Sequence, residues 1–364
     1  MGDGLVYLYI LIDMKFRLLL FALFFSSIGL SQTTLDTTKT QEEDFSMYAD
    51  VVEVPSTNKS KIYCSQKILG LSPSKLISFG YDFVGANSIE MDTIGSFSGN
   101  TANIKYNNGI RFSANFPVVS NNKMILSLGV NYLGFKYMKS SSNKELVPLS
   151  EVLNKNGLRS YGINGTIYKP FNSKLFGILQ LAADHNSAGK IDEFHENGLK
   201  YSGAIIFGCK PNDRRQYGFG VTQSYRGGAL NYFPVILYNY TFKSKKWGIE
   251  MLLPARANVR YTINPRNLLF FGFELEGNSY YINSMVTDYN FGFKNLQLHR
   301  SEIRPRFTYE FSIYNFIWMS IQAGYRIGYK FNVDNVDYKA DPVIMDNKLG
   351  GSYYFNISLN LVSP

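Results

Sequence analysis

Residues 316–331 read FIWMSIQAGYRIGYKF. At period two, the odd positions give Ile317, Met319, Ile321, Ala323, Tyr325, Ile327, Tyr329 and Phe331, an apolar row ending in aromatics. The even positions between them, Ser320, Gln322, Gly324, Arg326, Gly328 and Lys330, are small, polar or cationic. A strand places alternate side chains on opposite faces, so this is a long strand with one apolar and one polar face. In a soluble sandwich the polar face would be wet. In a transmembrane barrel the apolar face meets lipid and the polar face lines the interior.

The same design recurs along the chain. Ile77–Phe83, Ile110–Phe116 and Leu126–Tyr132 alternate in this way, and strands are expected around 158–169, 175–184, 200–209, 214–225, 232–242, 247–253, 255–263, 267–281, 300–312 and 353–361. Turn chemistry separates many of them, as in Pro170-Phe171-Asn172-Ser173, Pro211-Asn212-Asp213 and Asn264-Pro265-Arg266-Asn267. Short connectors alternate with long polar ones such as 140–156, 185–199 and 332–348. A transmembrane barrel sorts its connectors this way, whereas a sandwich has no reason to. The pattern predicts an antiparallel transmembrane β-barrel over 74–364 with about 14 strands, or twelve to sixteen depending on whether Pro254 is a tight turn or a kink.

Composition agrees. Aromatics are 16% and charged residues 18% of the 364 residues, with 27 Tyr, 28 Phe and 31 Gly. This suits aromatic-edged strands joined by turns. The mean hydropathy of −0.13 hides the apolar faces, because alternation averages them away. The net charge of +9 is dispersed rather than gathered on one face, which argues against a nucleic-acid partner.

At the N-terminus, Met14-Lys15-Phe16-Arg17 precedes LLLFALFFSSIGL, and small residues Gly29 and Ser31 flank a cleavage junction at Ser31-Gln32. Residues 1–31 read as a signal peptide with its start at Met14; the rival is a membrane-anchoring helix over 5–30. Residues 32–73 read as a flexible segment that lies in the periplasm or folds into the barrel. These readings place the chain in the outer membrane of a Gram-negative bacterium, with outer-membrane lipids and the barrel-insertion machinery as partners and a small solute as a further one.

Parity turns a set of charges inward: Arg256 and Arg260, Glu274 and Glu276, Arg304, Arg306 and Glu310, and Arg326. Opposite charges in a narrow interior need partners, so these residues form either a salt-bridge network that fills the barrel or a charged constriction in a pore. His299 and Ser301 stand two apart on one strand face. That resembles the His-x-Ser arrangement of outer-membrane lipid hydrolases, with His299 as base and Ser301 as nucleophile, but no acidic partner follows on that face. Cys64 and Cys209 fit no metal motif, and a disulfide between them stays open. No cofactor site is read. The function that follows is a passive channel or transporter for a small solute, or a structural barrel. The alternatives are a lipid hydrolase and a soluble periplasmic β-sandwich.

Leu253-Pro254, Val259-Arg260-Tyr261, Gly272-Phe273-Glu274-Leu275-Glu276-Gly277, Arg304-Pro305-Arg306 and Ala323-Gly324-Tyr325 resemble the C-terminal blocks of an uncharacterised Bacteroidota outer-membrane β-barrel family. The resemblance implies one barrel and no particular activity. The C-terminus, Leu361-Val362-Ser363-Pro364, departs from the terminal aromatic that many barrels carry.

Overall fold

The structure is a computed structural model that describes residues 68–93, 99–140, 148–188, 194–224, 231–282, 295–335 and 343–363. The signal sequence, most of the 32–73 segment and Cys64 lie outside these residues. Cys209 is a free thiol.

Sixteen strand segments form one closed antiparallel wall. They are β1 (Lys75–Val84), β2 (Asn87–Met91), β3 (Asn100–Asn121), β4 (Met124–Lys139), β5 (Leu158–Pro170), β6 (Leu175–Ser187), β7 (Leu199–Asn212), β8 (Arg215–Ser224), β9 (Asn231–Thr241), β10 (Trp247–Leu253), β11 (Arg256–Asn264), β12 (Asn267–Tyr281), β13 (Leu296–Tyr314), β14 (Ile317–Asn335), β15 (Val343–Leu349) and β16 (Ser352–Val362). They make up fourteen wall strands. β1 and β2 pair with β3 in a single register (Val84 opposite Asn107, Asn87 opposite Ile104), so they are one strand interrupted at Gly85-Ala86. β15 and β16 are likewise one strand interrupted at Gly350-Gly351, since both keep one register on β14. β1 meets β16 to close the barrel.

Three segments correct the sequence reading. β2 and β15 occupy stretches assigned to polar connectors. Within the connector 140–156, Pro148–Lys155 forms a helix, α1. Its Leu149, Val152 and Leu153, at i, i+3 and i+4, are buried along one face, and Pro148 opens its first turn. Eight residues are too few for a helical period to stand out against the polar loop around them. Pro254 lies in a tight turn between β10 and β11, so the 247–263 region is two strands.

The outer wall is apolar where the barrel crosses the membrane. Phe79, Ile163, Phe207, Phe219, Phe271, Phe307 and Ile327 all point away from the interior and are exposed. Buried in lipid rather than water, this surface carries no penalty. Most inward residues of the same strands are small, polar or charged, with Leu268, Phe270, Trp318 and Val362 forming a small apolar cluster. At the bulge in β14, Ser301 pairs with Lys330 but Glu302 with Gly328, so Tyr329 is extra. A one-residue shift reverses every later side chain. Phe331, placed on the outer row by its parity, is therefore buried inside, and Lys330 takes the opposite face of the strand.

All two- to five-residue turns lie at one end except the β10–β11 turn, which stands at the opposite, long-loop end. Arg256 pairs with Glu274, while β12 continues to Tyr281. At about 3.3 Å per residue, β12 rises roughly 20 Å beyond that turn. The wall thus has a notch above β10–β11. Past the notch, β12 reaches β6: Tyr281 is the parallel partner of Ser187, and the Ala188 amide donates to the Tyr281 carbonyl at 2.8 Å. This bridge divides the long-loop half of the lumen. On one side, Ile89, Ile104, Phe135, Tyr137, Leu298, Phe331 and Val333 pack with α1 into the molecule's main apolar core.

Candidate functional site

The other side of the bridge holds a cavity of about 820 Å³. Strands β5–β9 present inward side chains to it, among them Thr166, Gln180, Ser202, Ala204, Thr222 and Phe233. The β10–β11 turn (Leu252–Ala255) forms its rim at the notch. Leu275, Gly277, Ser301, Tyr329 and Lys330 of β12–β14 close the far wall. The chamber is mostly apolar with scattered hydroxyls and amides, a lining typical of small-molecule sites. A polar niche of about 90 Å³ shares Ser202 and Ser224 with it and adds Asp184, Asn186, Lys200, Asn278 and Ser279.

The inward charges fall into three groups. In the central one, Glu302 is completely buried and takes Arg300 at 2.9 Å and Arg304, with Arg326 3.8 Å away. Glu276 takes Arg304 at 2.9 Å and Arg111 at 2.5 Å, and Arg111 also binds Asp82. Four guanidinium groups thus face three carboxylates. The surplus cation is offset by ring faces: Arg300 lies 4.8 Å from the Phe135 centroid and Arg304 5.3 Å from that of Tyr354. A second group joins Arg306 to Glu274 and Gln322.

The third group stands at the short-turn end. Arg260, fully buried, pairs with Glu250 at 2.9 Å and donates to Thr241 at 2.8 Å and Thr262 at 2.9 Å. Glu310 accepts from Ser72 at 2.6 Å and Lys75 at 2.7 Å. Residues 68–74 therefore run into this end of the barrel. The Leu69 amide donates to the Asp213 carbonyl at 2.8 Å, and the Thr241 hydroxyl donates to the Leu69 carbonyl at 2.6 Å. Gly70 has φ +76°, and a Cβ there would stand 2.9 Å from an Arg260 nitrogen. The left-handed backbone favours glycine at this position.

Of the residues chosen from sequence, Glu276, Arg304 and Arg326 meet in the central group, Arg306 and Glu274 in the second, and Arg260 and Glu310 lie in the third. Arg256 sits exposed beside the β10–β11 turn and makes none of these ion pairs. Parity missed Arg300 and Glu302, which continue the inward row of Arg304, and Asp82 and Arg111, which alternate with outward aromatics. His299 and Ser301 share a strand face but do not bond. His299 Nδ1 lies 2.7 Å from the Ser279 hydroxyl and Nε2 3.2 Å from Asp334, while Ser301 lines the chamber.

A closed antiparallel barrel with an apolar, aromatic-rich exterior and a polar interior is a transmembrane barrel of the Gram-negative outer membrane. The chain belongs to the family described as "Domain of unknown function (DUF6268)", whose model matches residues 76–362. No curated protein matches it. Among solved structures, it is similar to the COG4313 outer membrane channel from Pseudomonas putida F1 at 10% identity, covering 80% of this chain and 97% of that one, with a TM-score of 0.37. It is similar to a Pseudomonas aeruginosa FadL homologue at 8% identity, covering 81% and 91%, with a TM-score of 0.37. Similarity to the P. putida toluene transporter TodX is 10% in identity, covering 81% and 92%, with a TM-score of 0.32.

Proposed function

We propose that the protein is a passive outer-membrane channel for small solutes, and that its path runs through the chamber rather than through the charged groups. The observation that carries this is the chamber itself, about 820 Å³ of open space inside the barrel, bordered by the low rim at the β10–β11 turn. The central ion pairs are a filling. Their carboxylates are saturated by guanidinium groups and their rings are packed, so they stiffen the wall between chamber and core. Outward aromatics hold the barrel in outer-membrane lipid. The test is solute flux into liposomes carrying the refolded barrel. Flux that falls several-fold when Ala204→Trp fills the chamber supports the reading, and a wild-type barrel that passes no small solute overturns it.

A second reading is a lipid hydrolase in which Ser279, not Ser301, is the nucleophile. It is favoured by the 2.7 Å contact between Ser279 and His299 beside Asp334. Labelling of the folded barrel by a fluorophosphonate, lost in Ser279→Ala, supports it; an unlabelled folded barrel removes it.

A further inference from the structure

The chamber and the niche differ in chemistry, and the difference selects a ligand. Leu181, Ile206, Val235, Leu252, Leu253 and Leu275 give the chamber an apolar body-sized space. The niche that opens from it holds two acceptor side chains, Asp184 and Asn186, and the amide Asn278. Two of the niche donors already have partners within the protein. Lys200 Nζ donates to the Asn197 carbonyl at 3.0 Å, and Asn278 Nδ2 contacts the Tyr280 hydroxyl at 3.4 Å. Asp184 accepts from Asn131 Nδ2 at 2.9 Å. Asn186, 2% exposed, is different: its side-chain oxygen has no hydrogen-bond partner. Buried acceptors are ordinarily satisfied, and an unsatisfied one forfeits its hydration with nothing gained. A donor in the niche removes that loss once the Asn186 carboxamide turns its covered oxygen toward it.

We propose that the cavity binds an amphipathic molecule whose apolar body fills the chamber and whose hydrogen-bond-donating head, an alcohol or amine, sits in the niche against Asn186 and Asp184. A carboxylate head is disfavoured. It offers acceptors where acceptors already stand and brings like charge beside Asp184. The niche volume matches a single small head group.

This assignment rests on the chamber being the solute path, and the two separate experimentally. Calorimetric titration of the full-length barrel in nanodiscs, against empty-disc blanks, would use three probes with one tail: 1-heptanol, heptylammonium and heptanoate. The alcohol and the ammonium are expected to bind at least fivefold more tightly than heptanoate. Asn186→Leu should remove most of the alcohol's advantage, with heat-modifiable mobility on a gel confirming that the variant is folded. A second variant, Ser224→Leu, adds bulk at a residue that lines both chamber and niche and should have the same effect. Heptanoate binding as tightly as heptanol, no saturable binding of any probe, or an advantage that survives both variants overturns the head assignment. Flux through liposomes is measured in parallel. Flux without head discrimination leaves the channel standing and removes the niche; discrimination without flux does the reverse.

Discussion

Ser187, at the end of β6, is the parallel backbone partner of Tyr281, at the end of β12, although five wall strands, β7 to β11, lie between them. Antiparallel order elsewhere in the wall makes this pairing a crossing of the lumen rather than a step around it. It arises from unequal lengths. β10 and β11 stop at a two-residue turn, so β12 loses its neighbour and bends until its free edge finds the β6 backbone, whose polar groups need partners as much as its own. The outcome is a mouth with an apolar core on one side and an open chamber on the other.

Partners in such a bridge are close enough for a disulfide, whose Cα atoms stand about 4.4–6.8 Å apart. In a background lacking Cys64 and Cys209, Ser187→Cys with Tyr281→Cys is expected to cross-link on oxidation of the folded barrel and to leave its heat-modifiability unchanged. A pair that stays reduced in the folded barrel would show that β6 and β12 are apart. The readout is gel mobility with and without reductant.

Glu302 is the carboxylate around which Arg300, Arg304 and Arg326 gather. Glu302→Ala leaves three buried guanidinium groups without it, and breaking a buried pair costs about 3–5 kcal/mol. Arg256→Ala, at an exposed position outside the ion pairs, is expected within about 0.5 kcal/mol of wild type. Equilibrium urea unfolding in lipid or detergent measures both. Equal midpoints for the two variants would mean that the central group does not stabilise the barrel.

The fourteen wall strands are legible because lipid on one side and a polar lumen on the other impose strict alternation, as in residues 77–83 and 317–327. What fails to read is the long-loop half, where both faces of a strand are covered. Residues 296–302 of β13 are buried without interruption, and Ile89 and Met91 of β2 belong to the core although they sit in a polar stretch. Phe331 reads as lipid-facing because nothing in the sequence marks the bulge at Tyr329. The inward sign of Arg and Glu residues follows from parity, but their partners do not: Arg111 meets Glu276 across 165 positions in the chain. The notch and the chamber depend on one turn being short among long ones, and only the assembled wall shows the space this leaves.

The segment before β1 closes the short-turn end through contacts that single substitutions remove. Thr241→Val deletes the donor to the Leu69 carbonyl and the acceptor for Arg260. Gly70→Ala forces a side chain into a left-handed backbone, costing about 1–2 kcal/mol, and sets its Cβ against the Arg260 guanidinium. Both variants are expected to free the segment. Protease added from the short-turn side should then cut near Leu71 several-fold faster than in wild type, while the barrel keeps its resistance to SDS. Unchanged cleavage in both variants would place the hold on the segment in Ser72 and Lys75 with Glu310 instead.

Charged constriction and apolar chamber make opposite demands on selectivity. Were the path set by Arg306 and Glu274, removing either charge would change single-channel conductance and the preference for cations over anions. A path through the chamber predicts otherwise. Glu274→Ala and Arg306→Ala should leave flux of a neutral solute within about twofold of wild type, and their effect should appear as lost stability, because Arg306 binds both Glu274 and Gln322. Ala204→Trp and Ala182→Trp, each adding a bulky ring to the chamber wall, should cut the same flux several-fold while leaving ion selectivity where it was. Flux of an uncharged sugar alcohol into proteoliposomes, read beside the reversal potential in a planar bilayer, separates the two. A reversal potential that moves with Arg306→Ala while Ala204→Trp changes nothing would assign the path to the charges and take it away from the chamber.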